Sequence, residues 1–220
     1  MKITIQVAFL LFCLHGLHGA EISTILGTGE AGFSGDGGLA TQAKMRGPFG
    51  VVRGPDSCVY VCDTYNHCMR KIDSQGIVTT VAGAGGKKGY AGDGGLAAEA
   101  LLNEPYEVRF DQAGNMYFVE MMNHVIRRVD VKSGKISTIA GTGVKGFSGD
   151  GGPAKKAKFN RPHSIQFGPQ GNLFVCDIGN HRIRKVDMKT GKISTFSGTG
   201  KKAKTKDGGK ISKVDLNGPR

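Results

Sequence analysis

Short runs of alternating apolar and polar residues recur along most of the chain, and glycine, proline or aspartate bounds each run. Runs of about five residues that are rich in β-branched side chains predict β-strands, and their boundaries predict turns. No stretch carries the spacing of a long helix. The first strand of each unit is expected at Phe49–Arg53, Tyr106–Phe110 and His163–Phe167. The second is expected at Val59–Asp63, Met116–Glu120 and Leu173–Asp177, and the third at Cys68–Ile72, Val125–Val129 and Arg182–Val186.

The fourth strand of the unit is predicted at IVTTVAG, residues 77–83, and at its later equivalents. A further copy precedes the first unit as EISTILG, residues 21–27, and is predicted as a strand as well. Between these outer strands and the next inner strand runs a glycine-rich GDGG loop. The alanine-containing LATQAKM that follows the first such loop has the spacing of one or two helical turns.

The whole pattern repeats with one period. The GDGG aspartates and the proline that opens each inner strand recur every 57 residues, as does an Asn-His pair. The aspartates are Asp36, Asp93, Asp150 and Asp207, and the prolines are Pro48, Pro105, Pro162 and Pro219. A fixed period of this length is typical of repeat architectures. Four short antiparallel strands per period predict an all-β fold, a β-propeller in which each unit is one blade packed between two neighbours.

The number of units leaves two alternatives open. Blades are predicted at about 48–83, 105–141 and 162–198, followed by a stub at 199–220 that stops where the next inner strand would begin. Propellers usually close with about four to eight blades. Three blades therefore form a partial, open ring with two free faces. Either the chain is a piece of a longer protein, which is the favoured interpretation, or two copies form a homodimer that closes a six-bladed ring.

The first twenty residues differ from the repeats. Lys2 is followed by the apolar run Val7–Leu14 and by Gly19-Ala20, which is typical of a secretory signal peptide cleaved after Ala20 or Gly19. The run is too short to span a membrane comfortably. Residues 21–220 then form the mature propeller segment, and no transmembrane span is expected after signal removal. The chain is predicted to be secreted into the extracellular space.

Cysteine and charge add two further expectations. Four cysteines remain after residue 20, and Cys62 and Cys68 flank a tight hairpin where a disulfide is one option. The net charge is +12, with many lysines after residue 200. A basic surface attracts polyanions. For a secreted protein, acidic glycans rank above nucleic acid as partners, and a solvated basic loop ranks above both.

The segments Ser57–Ile72, Asn115–Val129 and Asn172–Val186 (NLFVCDIGNHRIRKV) resemble the NHL repeat. That family is named for an Asn-His-Leu triplet and folds as propellers, usually six-bladed. The GDGG leader resembles the subgroup found in secreted and cell-surface proteins, such as the teneurins and bacterial exported proteins. The resemblance covers residues 21–220 and implies the fold far more strongly than any activity, because function depends on sites rather than folds.

Residues that are identical in every unit are interpreted as structural. They comprise the Asn-His pairs, whose side chains suit local bonds to the backbone of a hairpin loop, and an arginine of the third strand. The pairs are Asn66–His67, Asn123–His124 and Asn180–His181, and the arginines are Arg70, Arg127 and Arg184. The acidic residues Asp63, Glu120 and Asp177 are expected to pair with the loop or with these arginines. The loop aspartates Asp36, Asp93 and Asp150 are weak candidates for calcium ligands.

Positions that vary between units are the better candidates for function. The inner strand begins with Phe49, Tyr106 or His163, next to the expected central channel. Glu107 and Arg109 follow in the second unit. Two residues beyond each first position, Val51, Val108 and Ile165 are expected in the core. The hairpin and GDGG loops crowd the same end as Phe49, Tyr106 and His163. The expected binding face therefore consists of these three residues together with Glu107 and Arg109.

His163 also supports an alternative. Arg161-Pro162-His163-Ser164 resembles the inner-strand start of the peptidyl-hydroxyglycine amidating lyases, whose zinc is held by three such histidines. Here the equivalent residues are Phe49 and Tyr106, which cannot replace imidazole. The main hypothesis is therefore a non-enzymatic, secreted scaffold that binds protein or glycan and needs no cofactor. The alternatives are a zinc-dependent lyase or hydrolase centred on His163 and a binder of polyanions such as RNA or acidic glycans.

Overall fold

The structure is a computed structural model that describes residues 22–204 and 207–220. The predicted signal peptide at 1–20 and Lys206 lie outside the described residues. Over the part that is described, no helix is long and apolar enough to cross a membrane.

The fold is all-β, with three four-stranded antiparallel sheets that form three consecutive blades of an open propeller. Each sheet follows the chain order from the inner to the outer strand. The first blade contains β1 (Pro48–Arg53), β2 (Val59–Asp63), β3 (Cys68–Ile72) and β4 (Val78–Ala82). The second contains β5 (Pro105–Phe110), β6 (Met116–Glu120), β7 (Val125–Val129) and β8 (Ile136–Ala140). The third contains β9 (Pro162–Phe167), β10 (Leu173–Asp177), β11 (Arg182–Val186) and β12 (Ile193–Ser197).

Apolar residues between neighbouring blades form the core. One cluster packs Cys62 and Met69 of the first blade against Val108 and Phe118 of the second. A second cluster packs Val119 of the second blade against the third. Because a strand alternates its side chains between two faces, one blade contributes to both clusters. This is why a single unit is not a stable fold and must repeat.

The expectation of a core position at Val51 is wrong, although it is right for its equivalents. Val108 and Ile165 are buried, with 0% and 2% exposure, whereas Val51 is 59% exposed. Val108 packs on the first blade and Ile165 on the second. No described blade precedes Val51, so its side chain has nothing to pack against.

The first outer strand is also a correction. Residues 22–27 do not form a strand, although their sequence matches that of β8 and β12. An outer strand pairs with the third strand of its own blade, as β12 pairs with β11. Residues 22–27 precede the first described blade and have no such partner, so their β-propensity is not realised.

The leader after each GDGG loop forms one short 3₁₀ turn in place of the predicted helical turns. The turns are Ala40–Gln42, Ala97–Glu99 and Ala154–Lys156, with a fourth at Ile211–Lys213. In the first three leaders, two alanines around the turn are buried against the blade. Small side chains let the turn lie close to the sheet, which explains the recurrent alanine.

The disulfide option is wrong. All four described cysteines are free. Cys62 lies opposite Met69 in the β2–β3 pair, and Cys68 lies opposite Asp63. Adjacent residues on a strand point to opposite faces, so Cys62 and Cys68 face opposite sides of the sheet. The sequence placed both residues beside the hairpin, but only the register shows which face each thiol takes.

Candidate functional site

A β-bulge at the start of each inner strand positions the varied residues. In the first blade, Pro48 pairs with Asp63 and Val51 with Val61, so β1 carries one extra residue. The same irregularity occurs at the same place in β5 and β9. Bulges re-aim side chains and are over-represented beside functional sites. Here the bulge includes Phe49, Tyr106 and His163.

These three rings form a continuous row across the three blades, which we call the aromatic stack. The ring of Phe49 is stacked on that of Tyr106, and the ring of His163 is tilted by 54° against that of Tyr106. The ring centroids of Phe49 and Tyr106 are 4.1 Å apart and those of Tyr106 and His163 are 4.2 Å apart. The blades can approach this closely because residue 50 is glycine: a Cβ on Gly50 would lie 2.7 Å from the carbonyl oxygen of Tyr106. Phe49 is 47% exposed, so the stack presents an aromatic surface to solvent at the first blade.

The stack forms one wall of a recess of about 320 Å³. Its other lining residues include Tyr65, Arg161 and Arg220. Arg220 occupies the fourth position of the series, 57 residues after His163. Phe49, Tyr106, His163 and Arg220 therefore occupy the same position in four successive repeats. Arg161 and Arg220 are not among the site residues predicted from the sequence, although the period marks both positions. We refer to this cavity as the channel-end recess.

The recess favours the uncharged form of the His163 imidazole. Burial lowers its pKa below the usual 6.5, and the cationic charges of Arg220 and Arg161 lower it further, while Glu107 opposes them. Its Nδ1 lies 2.9 Å from the hydroxyl oxygen of Ser164. The imidazole is therefore neutral at pH 7 and can offer one ring nitrogen to a ligand.

Glu107 and Arg109 lie along the inner strand below the stack and bond to each other. The Arg109 guanidinium donates to the Glu107 carboxylate. It also donates from Nε to the Gln166 side-chain oxygen of the third blade, at 2.7 Å. The structure thus places these two predicted site residues beside the recess as a paired, inter-blade contact. Neither residue lines the recess itself.

The asparagine of each Asn-His pair joins the hairpin loop to the glycine-rich loop that contains GDGG. Asn123 donates from Nδ2 to the carbonyl oxygen of Gly89, at 2.7 Å, and to the carboxylate of Glu120. Asn66 and Asn180 make equivalent bonds to Gly32 and Gly146. The contacts to the glycine carbonyl groups span 34 residues, so the expectation of local bonds to the hairpin backbone is wrong for the asparagines.

The histidine of each pair joins one blade to the next. Nδ1 of His124 accepts a bond from the backbone N–H of Arg161, at 3.1 Å. His67 accepts from Glu104, and His181 from Gly218, in the same way. An accepting Nδ1 requires the tautomer that carries its proton on Nε2. These bonds hold the residue before each inner-strand proline and so fix where the bulge begins.

The arginine of each third strand is fully buried between two carboxylates. Arg127 bonds to Glu120 at 2.6 Å and to Asp93 of the GDGG loop at 2.8 Å. The corresponding pairs are Arg70 with Asp63 and Asp36, and Arg184 with Asp177 and Asp150. Burial raises the pKa of Asp63, Glu120 and Asp177, so each carboxylate needs its guanidinium to stay ionised.

An aromatic residue of the glycine-rich loop that contains GDGG covers each buried arginine. The guanidinium carbon lies 5.0 Å from the Phe33 ring centre in the first unit. The equivalents are Tyr90 at 5.4 Å and Phe147 at 4.8 Å. Cation–π contacts of this geometry stabilise a desolvated guanidinium. These aromatic residues are not among those predicted from the sequence, although they recur every 57 residues.

Comparison with known proteins shows the family of these repeats. A family model described as the NHL repeat matches residues 159–186, which hold β9 to β11 and the third Asn-His pair. Residues 159–186 of this chain form an NHL repeat. The resemblance that the three aligned segments indicated is therefore confirmed, and the NHL histidine is the residue that bonds one blade to the next.

Two curated relatives show how far the NHL-repeat likeness extends. The chain is 32% identical to "Protein SUPPRESSOR OF QUENCHING 1, chloroplastic" of Arabidopsis thaliana, over 72% of its own length and 16% of that protein. It is 30% identical to NHL repeat-containing protein 2 of Bos taurus, over 76% of its own length and 23% of that protein. The chain thus spans less than a quarter of the length of either relative.

A solved structure supports the fold. A protein of unknown function from Bacteroides thetaiotaomicron superimposes with a TM-score of 0.54 and is 27% identical. The match covers 62% of this chain and 34% of that protein.

The residues around the candidate zinc and calcium ligands bear on the two metal hypotheses. Phe49 and Tyr106 stack at the positions where a zinc site of three equivalent histidines would need imidazoles. Each described GDGG aspartate of the three blades faces a guanidinium, which repels a calcium ion. Among residues 22–204 and 207–220, no three His, Cys, Asp or Glu side chains are grouped as metal ligands.

Proposed function

We propose that this NHL-repeat propeller segment is a secreted, non-enzymatic scaffold that binds a protein or glycan ligand in the channel-end recess. The observation that carries the proposal is the aromatic stack of Phe49, Tyr106 and His163, contributed by three blades. The Asn-His pairs and the buried arginines, whose bonds hold the blades together, occur in all three units. The stack uses residues that the units do not share, which supports a role in recognition rather than folding.

The shape of the recess supports ligand binding as well. Partly exposed aromatic rings provide large contact areas at little cost in conformational entropy, and such rings are enriched in binding sites. The recess combines four rings with two cationic side chains, as small-molecule and glycan sites combine apolar walls with a few polar groups.

The test is to express the whole chain with its leader in insect cells and to probe the protein recovered from the medium on an array of defined oligosaccharides. Recovery from the medium with Glu21 or Ala20 as the first residue supports secretion. Phe49→Ala and Tyr106→Ala should each weaken binding by about tenfold or more, because each removes a stacking surface.

Val131→Ala is the matched control, because Val131 is 54% exposed on a turn outside the recess. It should bind as the wild type does. Equal binding by the alanine variants and the wild type would contradict a role for the stack. Retention of the chain inside the cells would contradict secretion independently of binding.

A further inference from the structure

The channel-end recess is cationic on one side and aromatic on the other. Arg161 and Arg220 line it together with His163, while Phe49, Tyr65 and Tyr106 provide the aromatic side. No aspartate or glutamate is among the described residues that line it. Two carboxylates outside the lining act on lining residues: Glu107, which is bonded to Arg109, acts on His163, and Glu104 acts on Tyr106. The charged side chains that line the recess itself, Arg161 and Arg220, are therefore both cationic.

Arg161 has no bonding partner for its side chain among the described residues, unlike Arg109 and the three buried arginines. Only its backbone N–H is used, in the bond to His124. A guanidinium offers five donors in a planar fork that matches a carboxylate or sulfate. The guanidinium of Arg161 thus brings unused donors to the edge of the recess.

The backbone of Arg161 takes a conformation that disfavours a side chain. Its φ is +54°, in the left-handed region that disfavours most side chains. The equivalent positions in the other units are Gly47, Glu104 and Gly218, with φ of +57°, +53° and +56°. Glycine therefore fits this turn without strain, whereas Glu104 and Arg161 each add a charged side chain at a conformational cost, and of these two only Arg161 lines the recess.

From this juxtaposition, and resting on the proposed function, we infer that the ligand is an acidic saccharide. A sugar carboxylate or sulfate group would bind Arg161 and Arg220 through charge-assisted hydrogen bonds. The C–H face of the sugar ring would lie on Phe49 and Tyr106, because the face of an aromatic ring is negative and attracts the positive edges of C–H groups. Neutral His163 sits between the two parts and can bond to a hydroxyl group.

The experiment measures the affinity of the mature chain for three hexasaccharides by titration calorimetry at fixed ionic strength. The probes are a heparin-derived sulfated hexasaccharide, a hyaluronan hexasaccharide that carries only carboxylates, and neutral chitohexaose. The wild type should bind at least one acidic probe more tightly than chitohexaose. A difference between the two acidic probes identifies which anion the recess prefers.

Arg161→Gln should weaken binding of the preferred acidic probe by about tenfold or more, because it removes a charge-assisted bond. Arg161→Gly should do the same and should fold at least as well, since Gly47 and Gly218 take the same φ. Arg53→Gln is the matched control: Arg53 is exposed at the far end of β1 and carries the same charge. It should bind as the wild type does.

Three outcomes would overturn the inference. If chitohexaose binds as tightly as the acidic probes and Arg161→Gln has no effect, the acidic specificity is wrong while the proposed binding role stands, provided Phe49→Ala still loses binding. If Lys201→Gln/Lys202→Gln loses acidic binding and Arg161→Gln does not, the lysine-rich end binds polyanions instead. If the wild type binds none of the probes, the saccharide assignment fails altogether.

Discussion

Four residues at one repeat position, Phe49, Tyr106, His163 and Arg220, give the channel-end recess its chemistry. The same backbone bulge presents the first three of them, so the differences between units lie in the side chains alone. The family scaffold therefore permits these substitutions without a change in the blade. This separates the recess from the NHL and arginine positions, where each side chain has fixed partners.

At the residue scale, Arg220→Gln should raise the pKa of His163 toward 6.5. The cation of Arg220 lowers this pKa more than that of Arg161 does, and burial lowers it most. The pH titration of the imidazole resonances by NMR measures the change. Arg161→Gln should cause a smaller rise, and Arg53→Gln should cause none. A larger rise in Arg161→Gln than in Arg220→Gln would contradict the placement of Arg220 beside His163.

At the scale of the element, the hairpin between the second and third strands is the joint between units. Its asparagine bonds to the glycine-rich GDGG loop of its own unit. Its histidine accepts a bond from the residue before the next inner strand. His124 also has a φ of +56°, which Asn and His adopt more readily than most residues. One short loop thus sets both contacts along the array.

His124→Asn should lower the free energy of unfolding at pH 7.5 by about 0.5–1.5 kcal/mol, the usual contribution of one hydrogen bond. Asparagine suits the backbone conformation but is too short to replace the accepting Nδ1. Urea denaturation at several pH values measures the loss. His181→Asn offers a comparison at the equivalent bond of the third blade.

The difference from the wild type should shrink as the pH falls. Burial lowers the pKa of His124 below 6.5, so at acidic pH the unfolded chain binds a proton that the folded chain resists. The stability that neutral His124 contributes is fully present above about pH 6.5 and is lost as the pH drops below that value. A difference that stays constant between pH 7.5 and pH 5 would contradict the bond to Arg161.

At the scale of the whole molecule, the three blades leave two apolar faces open. Val51 is exposed on the first face, and Phe174, Ile183 and Phe196 border a cavity of about 560 Å³ on the last. The equivalents of these residues are buried or partly buried against the neighbouring blade where one is present. Each open face therefore fits a further blade, from the same chain or from a second copy.

Val51→Asp should change the free energy of unfolding by no more than about 0.5 kcal/mol, as exposed substitutions usually do. Val108→Asp, its equivalent in the second blade, should cost more than about 3 kcal/mol because it buries an unpaired carboxylate. Chemical denaturation measures both.

Sedimentation of the wild type and Val51→Asp tests what covers the first face. A wild-type dimer that the substitution converts to a monomer would support ring closure by two copies. A wild-type monomer would contradict the homodimer and favour further blades from a longer chain.

The sequence by itself determined the period, the strands of all three blades and the propeller class, because turn residues and strand alternation depend on local backbone preferences. It also marked Phe49, Tyr106 and His163, since a repeat makes any departure from its pattern visible. Packing and register depend on what lies opposite, so only the tertiary structure decided the rest. It exposed Val51, left residues 22–27 unpaired, turned Cys62 away from Cys68, and brought Arg161 and Arg220 to the aromatic stack.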